Sequence, residues 1–340
     1  MSPPIHPTPP GTRDVLPDEM RELRRLHLAL IEVFERFGYG EVATPTIEYD
    51  EVMSRGDGRG VAGAYRFFDE QGELLSLRSD MTVPIARLAA TRFAGAEPPI
   101  RLCYVAPAYR AVRPQRGQMR EFTQAGVELV GAAAPDGTAE VIEVLSASLD
   151  AAGLDRALIG LGDADLYRQL LAELGIEGTE RDAVLESLAS HDLVGLERRL
   201  SLIEGLDAER CRTLVALSQL RGGPEVLDRA RELGGEAVER AGSRLQETYE
   251  ALRERGAEAR VRLDLGLLRD LGYYTGAILE VYDPALGHIL GGGGRYDGLL
   301  AKFGPDLPAA GFALYVERVH VALIEEEGRR RGDPQGGGER

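Results

Sequence analysis

The feature that most constrains the fold of this chain is a pair of strand-like segments joined by a basic loop. The segments are "IRLCYVA" (100–106) and "EFTQAGVELVG" (121–131), and the basic stretch Ala111–Arg120 lies between them. Parallel neighbours need a crossover of about a dozen residues or more, usually with a helix. This connection reads as a loop, so we predict an antiparallel hairpin with a long basic tip.

Further hairpins and helices extend this pattern. "AYRFFDEQGELLSLR" predicts a hairpin that turns at Gln71-Gly72, "EVATPTIE" predicts a strand, and "YYTGAILEVYD" with "HILGGGGRYDGLL" predicts another hairpin. A first helix is expected to begin at Pro17 and to end at Gly38. Hairpins interrupted by helices are typical of the α+β class, with a mainly antiparallel sheet flanked by helices.

Residues 154–257 differ in composition from the rest of the chain. They contain one short strand-like run, "ALIGLG", followed by helical segments rich in Leu, Glu and Arg. We therefore predict a mostly helical insertion between a first part of the core at 1–153 and a second part at 258–328. Residues 329–340 are predicted to form a disordered tail.

Composition and charge exclude several classes of function. The chain has 340 residues, 44% of them hydrophobic, and a net charge of −16, which disfavours general binding to nucleic acid or anionic membranes. No apolar run approaches the ~20 residues of a membrane span, and we expect a cytoplasmic protein. Cys103 and Cys211 are expected to be buried thiols, and the five scattered histidines predict neither a metal nor a cofactor site.

The strand at 121–130 carries a candidate ligand-binding face. Alternation places Gln124, Gly126 and Glu128 on one face and apolar side chains such as Val127 on the other. For one strand taken alone, a polar face turned to solvent is the favoured interpretation. A glycine between two polar side chains also leaves space for a small ligand, so both interpretations stay open.

Two other segments offer candidate site residues. In "LRSDMT", Asp80 and Thr82 begin a helix, where capping alone would explain them and where the alternative is a carboxylate that anchors an ammonium group. In "RDLGYYTG", Arg269 precedes Tyr273 and Tyr274. On a strand the two tyrosines would point to opposite faces, one ring into the core and one into a cavity.

The run "LGGGGRYDGL" contains four consecutive glycines. Each glycine costs about 0.5–1 kcal/mol relative to alanine, so such a run predicts backbone pressed against a ligand or against another strand. A flexible loop is the alternative, but the flanking Leu290, Tyr296 and Leu299 disfavour a solvated linker.

Taken in order, these segments resemble the catalytic domain of class II aminoacyl-tRNA synthetases, and specifically of histidyl-tRNA synthetase. "GYGEVATPTIE" is similar to the dimer-forming first motif, "YRAVRPQRGQMREFTQ" to the second and "GFALYVER" to the third, while "RDLGYYTG" and "GGGGRYDGL" resemble the two histidyl-specific blocks. The resemblance implies a six-stranded antiparallel sheet with flanking helices, and a dimer. It also implies histidine contacts at eight matching positions: Asp80, Thr82, Arg110, Gln124, Glu128, Arg269, Tyr273 and Tyr274.

The sequence departs from the synthetase pattern where ATP would bind. Val112 replaces an acid of the ATP site, and Tyr315 replaces a glycine close to the adenine, so a phenol ring is expected to fill that space. Asp270 and Gly272 invert the synthetase's Gly and Asp, and Asp80 replaces a Glu. The sequence also ends soon after the third motif, where the synthetases continue into an anticodon-binding domain. We therefore expect neither ATP activation nor tRNA binding.

A second resemblance, to the regulatory subunits of ATP phosphoribosyltransferase, fits both departures. These synthetase-like proteins partner a short-form catalytic subunit in the first step of histidine biosynthesis. The resemblance implies a non-catalytic chain without a cofactor, with histidine as ligand, that forms a homodimer within a hetero-oligomer, a hetero-octamer with the catalytic subunit. Two alternatives remain. One is a truncated synthetase-like adenylating enzyme, which Arg110 and Arg269 favour, and the other is a free-standing histidine sensor.

Overall fold

The computed structural model describes residues 8–57, 63–111, 119–268, 272–284 and 289–330. In these ranges the helices are α1 (Pro17–Arg36), α2 (Asp50–Asp57), α3 (Thr82–Arg92), α4 (Asp136–Ala151), α5 (Leu166–Glu173), α6 (Gly178–Ala189), α7 (Leu193–Leu200), α8 (Ala208–Ser218), α9 (Glu225–Leu233), α10 (Glu236–Arg255) and α11 (Val316–Arg330). The strands are β1 (Gly40–Glu41), β2 (Ile47–Tyr49), β3 (Arg66–Phe68), β4 (Leu74–Leu77), β5 (Ile100–Tyr109), β6 (Glu121–Val130), β7 (Leu158–Asp163), β8 (Arg221–Gly222), β9 (Val261–Asp264), β10 (Ala277–Tyr282), β11 (Ile289–Arg295) and β12 (Ala309–Tyr315).

The strands form one large and one small sheet. Across the described ranges, nine strands pair in the order β1-β5-β6-β12-β11-β10-β7-β9-β8, and β2-β4-β3 form the small sheet. In the large sheet β1 runs parallel to β5 and β7 parallel to β9, and the other neighbours are antiparallel. The α+β class and the hairpin of β5 and β6 are confirmed. The large sheet has nine strands rather than the six that the resemblance implied.

The segment predicted as a helical insertion also belongs to this sheet. It holds α5 to α10, but β7 lies between β10 and β9, and its residues from Ile159 to Asp163 are buried. β7 pairs with the edge of β10 that β11 leaves open, and so satisfies backbone hydrogen-bonding groups of β10 that would otherwise stay unpaired. Helices of this segment, such as α10, therefore share one hydrophobic core with α1, α4 and β12.

The large sheet separates two layers that position the site. On one face, Val127 and Leu129 of β6 pack against α1, α4 and α11. On the other face, Tyr104 of β5 packs with α3 and with Tyr296. Because side chains alternate along a strand, the residues of β6 between these apolar positions face the α3 side. That side is where the candidate polar residues lie.

The glycine run forms β11, which lies between β10 and β12. A Cβ atom added at Gly293 would lie 2.0 Å from the carbonyl oxygen of Gly311, and one at Gly291 would lie 2.4 Å from that of Ala313. The predicted close approach of backbone is confirmed, and its partner is β12. The flexible-loop alternative is wrong.

Other predictions differ from the structure in detail. "EVATPTIE" forms β1 and β2 in different sheets, because Pro45 interrupts the run and cannot donate to a ladder. Cys103 is buried as predicted, whereas Cys211 is only half-buried. Helix α1 begins at Pro17 and is followed by Gly38 with a φ of 82°, as predicted.

The C-terminal helix and the membrane prediction complete this comparison. α11 continues to Arg330, two residues into the predicted tail, and 331–340 lie outside the described residues. Within the part of the chain that the structure describes, no helix combines the length and the apolar character that a membrane crossing requires.

Candidate functional site

The candidate site is a narrow cleft on the α3 side of the large sheet. Its back wall is the glycine-rich backbone of β11 and β12, and six of the eight predicted positions contribute side chains to it. It is lined by Asp80, Thr82, Arg110, Gln124, Tyr273, Tyr274, Tyr296 and Tyr315, with backbone from Gly292, Gly293 and Gly311. Arg269 lies outside the described residues, as do Val112 and Asp270.

Glu128 lies directly beneath the cleft and is the centre of a buried polar network. Its carboxylate accepts hydrogen bonds from the hydroxyls of Thr82 (2.9 Å), Tyr104 (3.5 Å) and Tyr296. Burial, with a smaller contribution from the negative charge of Asp80, raises the pKa of Glu128 to about 8 even though the hydrogen bonds from Tyr296 and Thr82 lower it. This carboxyl therefore takes or loses its proton near neutral pH.

Burial settles the two interpretations of the β6 polar face. Gln124 is 4% exposed and Glu128 is 2% exposed, so this face is not turned to solvent. The space beside Gly126 is filled, because an added Cβ would lie 2.7 Å from the Tyr104 hydroxyl and 2.0 Å from the Phe312 carbonyl oxygen. The room expected there for a ligand is therefore taken by Tyr104.

The start of α3 brings Asp80 and Thr82 into the cleft. The Asp80 carboxylate accepts a hydrogen bond from the backbone N–H of Val83 over 3.1 Å. Asp80 therefore caps this helix, which was one of the two interpretations of its position. Thr82 is not a cap: it is the first helical residue, and its hydroxyl donates to Glu128. Gln124 accepts the backbone N–H of Met81 over 3.1 Å and so ties β6 to the same turn.

Arg78 holds this turn in place and was not among the predicted residues. Arg78 is 3% exposed, and its guanidinium donates to the carbonyl oxygens of Pro107 (2.7 Å) and Thr44 (2.8 Å). The buried arginine therefore ties the end of β5 to the segment before β2, immediately ahead of Asp80. Its position in "LRSDMT" was visible in the sequence, but its carbonyl partners are distant in the chain.

Tyr273 and Tyr274 both face the cleft. They precede β10 rather than forming part of a strand, and their ring centroids are 4.8 Å apart. Tyr273 also packs edge-on against Tyr296, with centroids 5.9 Å apart. The prediction of opposite faces was wrong, because the period of two applies only to a strand, and Tyr273 lies in a turn and Tyr274 in the irregular segment before β10.

Arg110 closes the outer end of the cleft together with residues that the sequence did not single out. Its Nε donates to the Ser79 carbonyl oxygen over 3.2 Å, and its guanidinium carbon lies 5.0 Å from the centroid of the Phe122 ring. Burial lowers the pKa of Arg110, but the Tyr315 hydroxyl and the Asp80 carboxylate outweigh burial and raise it. A permanently charged guanidinium therefore faces the cleft.

The residues of the cleft suit a small zwitterion that carries a polar ring. Carboxylates of Asp80 and Glu128 fit an ammonium or imidazole group, and Arg110 fits a carboxylate. The cavity has a volume of only about 20 Å³, roughly the room of one water molecule, so such a ligand must displace side chains or the Tyr273 segment. In the described residues no cluster of three His, Cys, Asp or Glu side chains could hold a metal ion.

Comparisons with known proteins show the family of this chain. The histidyl-tRNA synthetase family model matches residues 11–319. An ATP phosphoribosyltransferase regulatory subunit from Moorella thermoacetica is 44% identical over 319 residues, which cover 93% of this chain and 82% of that protein. A protein of the same name from Symbiobacterium thermophilum is 42% identical over 340 residues, covering 98% of this chain and 84% of the relative.

Solved structures show the same fold. A Bacillus halodurans protein, described as an ATP phosphoribosyltransferase regulatory subunit/histidyl-tRNA synthetase, superposes with a TM-score of 0.86 at 31% identity, covering 98% of this chain and 92% of that one. A histidine–tRNA ligase subunit from Alicyclobacillus acidocaldarius gives 0.83 at 33% identity, covering 96% and 100%. The predicted class II synthetase-like fold and the predicted regulatory-subunit resemblance are both confirmed. The chain belongs to the family of ATP phosphoribosyltransferase regulatory subunits, within the histidyl-tRNA synthetase family.

Proposed function

We propose that this chain activates a short-form ATP phosphoribosyltransferase catalytic subunit and transmits feedback by histidine to it. The observation that carries the proposal is the cleft: Asp80, Gln124 and the Glu128 network converge on one small polar space. The partner supplies the phosphoribosyl chemistry, so no residue of this chain need act as acid, base or nucleophile.

Histidine is the proposed ligand of the cleft. Asp80 and Glu128 are assigned to its ammonium and imidazole groups, Arg110 to its carboxylate, and Tyr273 and Tyr274 to the sides of its ring. The eighth predicted residue, Arg269, stays a prediction. Because the cavity is nearly closed, histidine binding must be coupled to a movement of the cleft wall. Such a movement is a route by which a bound ligand can alter the activity of a partner subunit.

An exposed apolar face supports the proposed homodimer. In the small sheet, Tyr49 lies opposite Leu75, and Leu75 lies opposite Phe67, so these side chains share one face with Ile47. Ile47 is 46% exposed, Tyr49 57% and Phe67 38%. Contiguous apolar surface of this kind is typical of protein interfaces. We assign this face to a second copy, as the first-motif resemblance implies, within a hetero-octamer.

A test of the function mixes the purified chain with its cognate catalytic subunit. We expect one hetero-oligomeric peak in gel filtration, a higher transferase turnover than that of the catalytic subunit alone, and inhibition by added histidine. A catalytic subunit that is fully active alone and elutes separately from this chain would contradict the proposal and leave the free-standing histidine sensor.

A synthetase-like adenylating enzyme is the second candidate, because Arg110 is retained and faces the cleft. Histidine-dependent exchange of pyrophosphate into ATP measures that activity directly. We expect no exchange above background, since loss of a group that acts in the transition state typically lowers the rate about a hundredfold or more. Exchange at a synthetase-like rate would favour the enzyme. This chain is not expected to bind tRNA.

A further inference from the structure

Residues 273–276, which we call the tyrosine segment, separate the cleft from a second cavity. Tyr273 and Tyr274 line the cleft, which has a volume of about 20 Å³. Thr275 and Gly276 line the second cavity, which has a volume of about 190 Å³. The walls of the second cavity include the start of α4 and the middle of α10, two helices that share one hydrophobic core with the sheet face opposite α3. One short segment therefore lies between a nearly closed space and a larger one.

Side chains at the start of α5 hold the tyrosine segment in its position. Oδ2 of Asp165 accepts the backbone N–H of Gly276 over 3.1 Å, and Nη1 of Arg168 donates to the carbonyl oxygen of Tyr274 over 3.4 Å. Asp165 precedes α5, but its side chain makes no capping hydrogen bond to that helix. Its carboxylate therefore serves the tyrosine segment rather than α5.

Backbone hydrogen bonds complete the attachment of the segment. The N–H of Ala164 donates to the carbonyl oxygen of Gly276 over 2.7 Å, and the N–H of Thr275 donates to that of Arg295 over 2.8 Å. Gly276 has a φ of 66°, and a Cβ added there would meet no atom within 4 Å. This end of the segment is thus held by hydrogen bonds rather than by close packing, and glycine allows its backbone to change conformation.

The second cavity has polar walls whose buried charges are already paired. Asp163 and Arg295 are each 2% exposed. Asp163 pairs with Arg244 over 2.8 Å, and Arg295 pairs with Asp297 over 2.7 Å. Displaced backbone N–H and C=O groups need hydrogen-bond partners, which polar walls and the water of a polar cavity can supply. The second cavity therefore suits a segment of main chain that moves into it.

We propose that the second cavity receives the tyrosine segment when a ligand enters the cleft, and that Asp165 and Arg168 are positioning residues that hold the segment in the closed position. The inference rests on the proposed function, in which histidine is the ligand, because a cleft of about 20 Å³ admits histidine only after its wall moves. The movement is directed away from the cleft and is opposed by α5. The helical residues 154–257 therefore respond to a ligand in the cleft.

Calorimetric titration of histidine into variants of the full-length chain tests the role of Asp165. Asp165→Ala removes the acceptor of the Gly276 N–H and destabilises the closed position, so histidine affinity should rise about threefold or more. A residue that merely supported the site would give a lower affinity when removed. Asp165→Asn keeps an oxygen that can accept the same N–H, so its affinity should stay within about twofold of wild type.

The same titration tests the second cavity with a change of opposite sign. Thr248 of α10 is 3% exposed and lines the cavity. Thr248→Met extends this side chain into the space that the segment needs, so histidine affinity should fall about fivefold or more. Thr248→Val is the matched control, because it removes the hydroxyl without adding volume and should leave the affinity unchanged.

Thermal unfolding confirms that each variant is folded, and Ala134→Leu, at an exposed position of the same cavity wall, replaces Thr248→Met if that variant is not. The proposal is overturned if Asp165→Ala binds histidine no more tightly than wild type, or if Thr248→Met binds it as tightly as Thr248→Val. Either result leaves histidine as the ligand, since wild type still binds it. Absence of saturable binding to wild type would instead overturn the proposed ligand, and this inference with it.

Discussion

The two ends of one strand face carry opposite kinds of chemistry. At one end of β6, Glu128 is buried among the hydroxyls of Thr82, Tyr104 and Tyr296. At the other end, on the same face, Phe122 packs edge-on against Tyr315 and lies against the Arg110 guanidinium. The Glu128 carboxyl can change its protonation when a ligand binds, whereas the space between Phe122 and Arg110 is already occupied by the Tyr315 ring.

Under the proposed function, this difference lets the cleft bind an amino acid without activating ATP. Both ends lie on the same pair of strands, β6 and β12, but at different positions along it. A single large side chain such as Tyr315 can therefore fill one end while the Glu128 network stays intact. The comparison can be tested by disturbing each end separately.

The largest effect is expected where backbone supports the Glu128 network. In Gly311→Ala the new Cβ would lie 1.9 Å from Oε2 of Glu128 and 2.5 Å from the Val127 carbonyl oxygen. Relieving both contacts requires strand movement, so we expect a loss of about 3 kcal/mol or more in the free energy of unfolding in urea. Gly298→Ala is the control, because its Cβ meets no atom within 4 Å, and it should change stability by less than about 0.5 kcal/mol. Equal free energies of unfolding for Gly311→Ala and Gly298→Ala would show that the sheet adapts to a side chain at Gly311.

Removing the buried carboxylate should weaken histidine binding strongly. Glu128→Ala leaves three hydroxyl donors without their acceptor, and an unpaired buried polar group costs about 1–3 kcal/mol. We therefore expect histidine affinity to fall by about tenfold or more in calorimetry, and Gln124→Ala to act similarly. Glu121→Gln is the matched control, since Glu121 lies exposed on the same strand. Unchanged affinity in both cleft variants would locate the histidine site elsewhere.

A smaller effect, of at most about tenfold per pH unit, is expected from the pKa of Glu128. Its folded-state pKa of about 8 means that the carboxyl is mostly protonated at pH 7, and a bound cation favours the ionised form. Histidine affinity should therefore rise as pH increases from about 6.5 to 8, with release of a proton on binding. Calorimetry at pH 7 in two buffers of different ionisation enthalpy measures the number of protons released on binding. Glu128→Gln should abolish the release, and a release that persists in this variant would assign it to another group.

The same raised pKa fixes the sign of a stability change. A carboxyl with a folded-state pKa above its unfolded value stabilises the protein fully only below the unfolded pKa, and that contribution is lost as pH rises towards 8. The free energy of unfolding of wild type should thus fall relative to that of Glu128→Gln between about pH 4.5 and 8. Parallel pH profiles for the two proteins would contradict the assignment of a raised pKa to Glu128.

The smallest effect is expected at Tyr315, at the outer end of the cleft. Tyr315→Phe removes only a hydroxyl that accepts a hydrogen bond from Arg110 at 3.4 Å, near the upper limit for such a bond, and the ring contacts remain. We expect histidine affinity within about threefold of wild type, since a weak hydrogen bond contributes roughly 0.5 kcal/mol. A loss as large as that of Glu128→Ala would mean that the two ends of the cleft act as one site.

The sequence predicted elements and site residues where local pattern determines structure. Alternation in β6 correctly separated Gln124 and Glu128 from Val127, and the proline at position 17 marked the start of α1. Burial of Glu128 was not predictable from β6 alone, because the covering residues Tyr104 and Tyr296 come from distant strands and turns. A single strand shows which residues share a face, but not what packs on it.

Two other features depended on contacts distant in sequence. The shared side of Tyr273 and Tyr274 follows from a turn, whereas the pattern suggested a strand. The carbonyl partners of Arg78 lie at Thr44 and Pro107, about thirty residues away on either side. Such long-range pairings carry no local periodicity, so propensity and spacing could not reveal them.

The most direct test of the account measures histidine inhibition of the reconstituted transferase. The catalytic subunit is assembled with wild type, Glu128→Gln or the control Glu121→Gln, and each turnover is expressed relative to the same assembly without histidine. If the cleft is the regulatory site, Glu128→Gln raises the half-inhibitory histidine concentration by about tenfold or more, because coupling between sites requires differential binding, and Glu121→Gln leaves it unchanged. Equal half-inhibitory concentrations for all three assemblies would contradict the account.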